Sequence, residues 1–286
     1  MAQLLNGKDV ALEMTTTIKR DIAELKERNI TPTLGIIRIG EDGASISYEK
    51  GATKRCEEVG AAVKTYVLPE DASEEALLSA IRKVNEDHAV HGVLLLRNPS
   101  AQSKESVMRN VLLSEKDVDG ITDISMAKLY SGDNKVYAPC TAESVIQILD
   151  HYKIALEGKR VAVVGRSNIV GKPVSLLFLN RNSTVTICHS KTKDLPHIIK
   201  EADIAVIAIG RAESIGAESF RQGQIVIDVG VNSKPDGGKG ICGDVKFSEA
   251  EPIVAAITPV PGGVGAVTNC ILISHVVRAA KLSLVR

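Results

Sequence analysis

The sequence has no excess of charge of either sign: Lys and Arg together number 35, and Asp and Glu together number 35. A balanced charge argues against a nucleic-acid or membrane-surface partner, although it leaves room for a local basic pocket that binds a small anion. No run approaches the ~18 consecutive apolar residues that a membrane span needs. We therefore expect neither nucleic acid nor a membrane as a partner.

The sequence also lacks any pair of closely spaced cysteines. Its five cysteines lie far apart, and none belongs to a CxxC motif. Scattered single cysteines are typical of reduced cytosolic thiols rather than of disulfides or a metal site. We therefore expect a cytoplasmic protein with no bound metal.

Apolar runs typical of buried strands alternate with segments of helical period. TLGIIRIG and GVLLL predict strands in the first half, and residues 8–28, 44–59 and 74–85 predict helices between them. RVAVVG, TVTICHS, ADIAVIAIG and QIVIDVG predict strands in the second half, before a long final helix over 265–284. Residues 114–139 break this rhythm and predict a connection with functional loops. The alternation is typical of parallel sheets covered by helices.

The length of 286 residues suits two domains, since a single core rarely grows that large. We expect residues 1–140 to form an N-terminal α/β domain and residues 141–269 to form a Rossmann-like domain. The C-terminal helix, 270–286, is expected to pack back on the first domain.

The strongest local signal is VAVVGRSNIVGKP, which spans Val161 to Pro173. A buried strand stops at Gly165, and glycine permits a tight turn with close approach of the backbone to a phosphate. The free amides of the following helix then favour an anion. The motif departs from GxGxxG because Ser167 replaces the second glycine, so an ordinary strand-to-helix turn is the alternative. A second strand about 20 residues on favours a dinucleotide site.

The end of that second strand bears on the choice of cofactor. An NAD site usually places a carboxylate there for the ribose hydroxyl. This strand ends CHSKTK, and no carboxylate follows before Asp194. Arg166, Ser190 and the two lysines could instead bind a 2′-phosphate, although each lysine taken singly is also typical of a solvated loop. The sequence therefore predicts NADP rather than NAD.

Several stretches follow one known pattern in order and spacing. They are ASISY, CEEVG, KDVDG and APCT in the first half, and GRSNIVGKP, TVTICHS, ADIAVIAIG, VIDVGVN, GDV and ITPVPGGVG in the second. This pattern resembles that of the methylenetetrahydrofolate dehydrogenase/cyclohydrolase (FolD) family, and the resemblance covers essentially the whole chain.

The resemblance implies an activity and an assembly. The family oxidises 5,10-methylenetetrahydrofolate with NADP to 5,10-methenyltetrahydrofolate, and the same pocket hydrolyses that product to 10-formyltetrahydrofolate. The folate lies in the cleft between the two domains, and the enzymes are usually homodimers. A homodimer that binds one-carbon derivatives of tetrahydrofolate is therefore expected.

The resemblance also implies site residues. The implied NADP contacts are Gly165, Arg166, Ser167, Ser190 and Val231. The implied folate-pocket residues are Tyr48, Asp119, Pro261 and Gly262, of which Tyr48 and Asp119 are the catalytic candidates. Taken alone, Asp119 in DVDG is typical of a turn aspartate, and Pro261-Gly262 is typical of a loop.

The sequence departs from the family pattern in the folate half. The family usually has a catalytic lysine four residues after the tyrosine, on the same helical face, but Ala52 stands at that distance from Tyr48. Lys50 and Lys54 lie on the wrong face for a partner of Tyr48, unless a bulge shifts the helix.

A second departure lies at the end of the GVLLL strand. The family usually has a glutamine where Leu96 stands, and Arg97 follows it here. Arginine stays protonated and makes a poor base. Arg97 could still affect hydrolysis by orientation alone.

These departures affect the two reactions unequally. Hydride transfer needs alignment, and the folate nitrogens supply the electron push. Hydrolysis must activate a water, and acid–base help is worth about 10²–10⁴-fold. The sequence therefore predicts a dehydrogenase whose cyclohydrolase activity is weak or lost. Two alternatives stay open: a regulatory paralogue that keeps the dinucleotide but has lost folate chemistry, and a dehydrogenase of a smaller iminium or amine donor.

Overall fold

The computed structural model describes residues 1–96, 109–133, 135–235 and 237–284. The chain divides into two compact units. The six-stranded unit comprises Met1–Leu12 and Thr141–Thr268, and the three-stranded unit comprises Glu13–Cys140 and Asn269–Arg286. The predicted class, two α/β domains each with a parallel sheet, is confirmed.

Helices are formed by α1 (Gly7–Glu27), α2 (Gly43–Val59), α3 (Glu74–Glu86), α4 (Asp123–Tyr130), α5 (Cys140–His151), α6 (Gly171–Leu179), α7 (Leu195–Glu201), α8 (Phe247–Ala250) and α9 (Val264–Ser283). Strands are formed by β1 (Gln3–Leu4), β2 (Thr33–Ile39), β3 (Ala62–Leu68), β4 (Gly92–Leu96), β5 (Arg160–Val164), β6 (Thr184–Cys188), β7 (Ile204–Ile207), β8 (Ile225–Asp228), β9 (Asn232–Ser233), β10 (Ile241–Cys242) and β11 (Ala256–Ile257). Within the described ranges, no helix is long and apolar enough to cross a membrane.

The six-stranded sheet has the order β1-β11-β8-β7-β5-β6, and each of its ladders is parallel. Parallel strands covered on both faces must be apolar throughout, and every residue of β7 is fully buried. The chain runs from β5 outward to β6 and then returns to β7 on the other side of β5. This reversal creates a topological switch point between β5 and β7, where open α/β sheets bind ligands beyond the carboxyl ends of the strands.

The three-stranded sheet has the order β3-β2-β4 and is also parallel, with β2 in the middle. One face forms an apolar core with α3. The core residues contributed by the strands and by α3 are Ile37, Ile39, Val93, Leu95, Leu77, Ile81 and Val84. On the other face a Cβ at Gly92 would lie 2.4 Å from Val118 Cγ1 and 3.1 Å from Val276 Cγ2. The sheet is therefore closely covered on both sides.

The final helix packs in the three-stranded unit. His275 Nδ1 lies 2.8 Å from the carbonyl oxygen of Val118, and Arg278 Nη2 donates to the carbonyl oxygen of Val136 at 2.8 Å. The Arg278 guanidinium also lies 4.2 Å from the centre of the Tyr137 ring, a cation–π distance. The predicted return of the C-terminal helix to the first domain is confirmed.

Two local features differ from the sequence-based expectation. Residues 1–140 were expected together, but Met1–Leu12 belong to the six-stranded unit, because β1 pairs with β11 and satisfies the open edge of that strand. Residues 114–139, expected as a connection, contain the regular helix α4, which Thr122 caps by accepting from the N–H of Ser125. The sequence also predicts a helix over residues 104–113, most of which lie outside the described residues.

Candidate active site

The predicted site residues divide between the two units. Gly165, Arg166, Ser167, Ser190, Val231, Pro261 and Gly262 belong to the six-stranded unit, whereas Tyr48 and Asp119 belong to the three-stranded unit.

The turn after β5 can be built only with glycine. Gly165 has φ +128°, and a Cβ there would lie 2.2 Å from the carbonyl oxygen of Ala208. A Cβ at Gly171 would lie 2.2 Å from the carbonyl oxygen of Gly165. Both glycines therefore bring the backbone of β5, β7 and α6 together at the switch point. This crowded turn before a helix N-terminus is what a phosphate-binding turn requires.

Ser167, which stands in place of the second glycine, closes the turn before α6 with its hydroxyl. Its hydroxyl oxygen accepts from the N–H of Val170 at 3.1 Å and from the N–H of Gly171 at 3.4 Å. A serine hydroxyl that accepts from nearby backbone N–H groups stabilises such a turn. The departure from GxGxxG therefore has a structural reason, and a contact of Ser167 with NADP stays a prediction.

The loop after β6 lies beside the end of β5, because the N–H of Gly165 donates to the carbonyl oxygen of Cys188 at 2.9 Å. Ser190 is exposed in this loop, and Arg166 is exposed after Gly165. Arg166 forms no hydrogen bond or ion pair within the described residues. Arg166 and Ser190, two exposed groups that can bind a phosphate, thus follow the neighbouring strands β5 and β6. The first carboxylate after β6 belongs to Asp194, at the start of α7.

Two buried aspartates that sequence reasoning did not assign hold the loops after β7 and β8. Asp244 accepts from the N–H groups of Ile209, Gly210 and Arg211 at 2.7–3.0 Å. Asp228 accepts from the N–H groups of Gly230, Asp244 and Val245 at 2.9–3.1 Å. Burial raises the pKa of Asp228 to about 6 despite these donors. The GDV motif was the sequence signal for this arrangement, since it contains Asp244.

Val231 lies in the loop that follows Asp228, and its side chain is 61% exposed. It lies beyond the carboxyl end of β8, at the same edge of the sheet as Gly165. An exposed apolar side chain beside the switch point is available to a ligand.

The Pro261-Gly262 loop lies at this edge as well, after β11. The Val260–Pro261 peptide is cis, and Gly262 has φ +107°. The N–H of Gly7 donates to the carbonyl oxygen of Gly262 at 2.8 Å. A hypothetical Cβ on Gly262 would lie 3.8 Å from Cε of the exposed Lys8. No sequence pattern associates Lys8 with this loop, because the two are more than 250 residues apart.

In the three-stranded unit, Tyr48 and Asp119 lie close enough to interact electrostatically. Burial and then the charge of Asp119 raise the pKa of the half-buried Tyr48 well above its usual range, with Cys140 adding to the effect. The Tyr48 hydroxyl therefore stays protonated and can donate a hydrogen bond. Asp119 Oδ1 accepts from the N–H of Cys140 at 3.4 Å.

The turn in DVDG is organised by Asp117 rather than by Asp119. Asp117 is fully buried and accepts from the N–H groups of Ile121 and Thr122 at 3.0 and 2.8 Å. The Ser125 hydroxyl donates to the same carboxylate at 2.6 Å. Asp119 is therefore not needed for the turn itself.

Two family descriptions together match most of the chain. The catalytic domain of tetrahydrofolate dehydrogenase/cyclohydrolase matches residues 5–119, and the NAD(P)-binding domain of the same enzyme matches residues 139–284. The chain belongs to this family.

Individual relatives support the same assignment. The chain is 43% identical to the bifunctional protein FolD of Alkaliphilus oremlandii, over 99% of this chain and 98% of that protein. Its fold is similar to the crystal structure of FolD from Campylobacter jejuni, with a TM-score of 0.94 and 35% identity over 99% and 100% of the two chains. It is also similar to FolD from Trypanosoma brucei complexed with NADP and inhibitor, with a TM-score of 0.92 and 31% identity over 99% and 98%.

The two positions that depart from the family pattern are apolar and buried. Ala52 is 0% exposed and Leu96 is 5% exposed. Helix α2 runs without interruption from Gly43 to Val59, so the bulge that would move Lys50 or Lys54 into place is absent. Both lysines are exposed instead. Arg97 lies outside the described residues.

All five cysteines are free and buried. Across the described ranges, no group of three His, Cys, Asp or Glu side chains could hold a metal ion.

Proposed function

We propose that this protein oxidises 5,10-methylenetetrahydrofolate to 5,10-methenyltetrahydrofolate with NADP, and that it hydrolyses the product weakly or not at all. One observation carries the proposal. The Gly165–Gly171 turn fits a dinucleotide phosphate and Tyr48 lies beside Asp119, whereas the positions at which the resemblance implies a lysine and a glutamine are the buried, apolar Ala52 and Leu96.

The six-stranded unit fits a dinucleotide phosphate. A Cβ at Gly165 or Gly171 would lie 2.2 Å from a backbone carbonyl oxygen, so both glycines are needed for the tight turn that would hold the pyrophosphate before α6. Arg166 and Ser190 would hold the 2′-phosphate, since no carboxylate follows β6 before Asp194. When bound, NADP supplies the hydride acceptor. The expected contact of Val231 would then be apolar.

The three-stranded unit supplies orientation rather than a strong base. Tyr48 keeps its proton and donates, and Asp119 is a half-buried acceptor beside it. The electron pair that expels the hydride comes from a folate nitrogen, so alignment is the main requirement. Tyr48 and Asp119 are proposed to align the folate, with Pro261 and Gly262 as further contacts.

Hydrolysis needs more than alignment. Water must be activated as it attacks the methenyl carbon, and a proton must be moved. A methyl group at Ala52 and an isobutyl group at Leu96 can neither donate nor accept a hydrogen bond. The hydrolytic step is therefore expected to lose most of its acid–base assistance.

The test follows both reactions with the purified full chain. With NADP and methylenetetrahydrofolate, absorbance at the reduced-nicotinamide band should rise. With methenyltetrahydrofolate, decay of its absorbance should stay close to the uncatalysed rate. A protein that binds NADP but leaves the nicotinamide band unchanged would instead be the regulatory paralogue. Oxidation of a smaller amine donor alone would indicate the third alternative.

A homodimer is part of the proposal. Strand β6 forms one edge of the six-stranded sheet, and its outer backbone groups are open to another strand. Ile187 on this strand is 43% exposed, and Thr184 and Thr186 are exposed too. Two copies related by a two-fold axis could pair through this edge.

The cytoplasmic location is likewise proposed, supported by five free thiols.

A further inference from the structure

An ion pair joins the three-stranded sheet to the helix that carries Tyr48. Arg38 Nε donates to Glu49 Oε2 at 2.5 Å, and the two side chains are only 13% and 19% exposed. Other ion pairs of the molecule are more exposed: Arg55–Glu58, Lys64–Asp87 and Lys281–Asp21 each have one partner that is more than 40% exposed. A largely buried ion pair seldom adds net stability, because both charges lose hydration. Stability alone therefore does not account for this pair.

The position of Arg38 in the sheet is informative. Arg38 lies near the carboxyl end of the middle strand β2, and it pairs laterally with Leu96 of β4. Side chains of laterally paired residues project on the same face. The neighbouring Ile37 and Ile39 project on the opposite face of the sheet, where they pack in the apolar core with α3. Arg38 thus stands beside the buried leucine at the edge where parallel sheets bind ligands.

The position of Glu49 completes the arrangement. Glu49 directly follows Tyr48 on α2, and Ala52 lies one turn further along the same helix. The contact with Arg38 shows that this side of α2 faces the sheet. The ion pair therefore belongs to the wall that also contains Tyr48, Ala52 and Leu96.

The hydrogen bonds of Arg38 leave donors for a ligand. Nε donates to Glu49, and Nη1 donates to the carbonyl oxygen of Gly40. These are the contacts that Arg38 makes within the described residues, so Nη2 keeps two N–H donors without a protein acceptor. The two fixed nitrogens hold the planar guanidinium in one orientation, and the free side of the fork is available to a carbonyl oxygen.

We propose that Arg38 is a folate-binding residue, and that Glu49 is the positioning residue that holds its guanidinium. Arg38 donates from Nη2 to a carbonyl oxygen in the pterin-and-benzoyl part of the folate. The inference rests on the proposed function and adds to it the group that supplies positive charge to this wall. Because arginine remains protonated, it can orient the substrate but cannot act as a base in hydrolysis.

Binding of a stable probe tests this assignment without catalysis. 5-Formyltetrahydrofolate is titrated into wild type, Arg38→Met, Arg38→Lys and Glu49→Gln. Arg38→Met should bind about tenfold or more weakly, since it loses a charged hydrogen bond. Arg38→Lys should be intermediate, and Glu49→Gln should lose less than Arg38→Met. Adding Glu49→Gln to Arg38→Met should have no further effect if Glu49 acts through Arg38.

Controls separate binding from folding. Arg55→Met removes an arginine of α2 that pairs with Glu58, and this variant should bind the probe like wild type. NADP affinity and the thermal midpoint of each variant report whether it is folded. If Arg38→Met is unfolded, Arg38→Lys and Glu49→Gln carry the test.

Kinetics and a truncated probe identify the subsite. For Arg38→Lys, KM for methylenetetrahydrofolate should rise while KM for NADP stays the same. The loss of affinity should persist with 5-formyltetrahydropteroate, which lacks the glutamate. A loss confined to the glutamate-containing probe would overturn the assignment, and so would folded variants that bind like wild type. Wild type that binds NADP but no folate would instead contradict the proposed function.

Discussion

The backbone N–H of Asp244 donates to Oδ1 of Asp228 at 3.1 Å, so two buried aspartates are linked at the edge of the six-stranded sheet. Burial raises the pKa of Asp228 from 3.8 to about 6. An acid whose pKa is raised in the folded state contributes stability that is present below pH 3.8 and is lost as the pH rises through about 6. The loss should amount to about 2–3 kcal/mol.

Asp228→Asn tests this relationship. The variant should be less stable than wild type, because the N–H of Val245 loses its acceptor. The difference in free energy of unfolding between wild type and Asp228→Asn should shrink between pH 4 and pH 7. Only wild type loses the stabilising contribution of the protonated Asp228 over this range. Urea midpoints of the two proteins at matched pH measure the difference. Asp203→Asn is the control with the opposite sign, because hydrogen bonding to the N–H of Arg160 lowers the pKa of Asp203. A deficit that does not change with pH would contradict the prediction for Asp228.

Arg166 should determine the preference for NADP. Arg166→Ala should weaken NADP binding by about 1.5–3 kcal/mol, the range for a hydrogen bond to a charged group. NAD binding should barely change, since NAD has no 2′-phosphate. Fluorescence titration with each cofactor measures both. Arg181→Ala, which removes a charge beyond the carboxyl end of α6 where Arg181 pairs with Asp150, should alter neither. Equal losses for the two cofactors would show that Arg166 contacts a part they share.

Polar groups at Ala52 and Leu96 should restore hydrolysis. Ala52→Lys alone should gain some acceleration of methenyltetrahydrofolate decay, and Ala52→Lys with Leu96→Gln should gain more. The effects should not simply add, because the two side chains would share one wall. Both positions are buried, so the variants should also lose stability. Thr53→Lys adds the same charge one residue along α2 and should gain nothing. Wild type that already matches the double variant would refute the explanation.

The open edge of β6 should be the dimer interface. Ile187→Lys places a charge on this edge and should convert a dimer to a monomer, as measured by sedimentation velocity. NADP affinity should be retained if the cofactor site is complete within one chain. Leu179→Lys changes another exposed apolar residue of the same unit, 57% exposed at the end of α6, and should leave the dimer intact. A wild-type monomer at micromolar concentration would exclude this assembly.

Periodicity in the sequence was sufficient to predict the strands and helices that build the two cores. β2, β4 and β7 are almost wholly apolar because both of their faces are covered, and that requirement is visible in any local window. The turn at Gly165 was predictable because a glycine directly after a buried strand is a local signal, whereas its crowding by the carbonyl oxygen of Ala208 is a long-range contact. The absence of a bulge in α2 could not be predicted from the sequence, because a regular helix and a shifted one have the same hydrophobic period.

The sequence by itself therefore determined the α/β class, the Gly165 turn and the loss of polar groups at Ala52 and Leu96. Only the tertiary structure decided that β1 joins the six-stranded sheet, that Asp117 rather than Asp119 organises the DVDG turn, and that Arg38 pairs with Glu49. The physical reason is the range of the interactions. Helices and strands follow from side chains a few residues apart, whereas an ion pair between a strand and a helix, or a strand added at an edge, depends on contacts that no local pattern encodes.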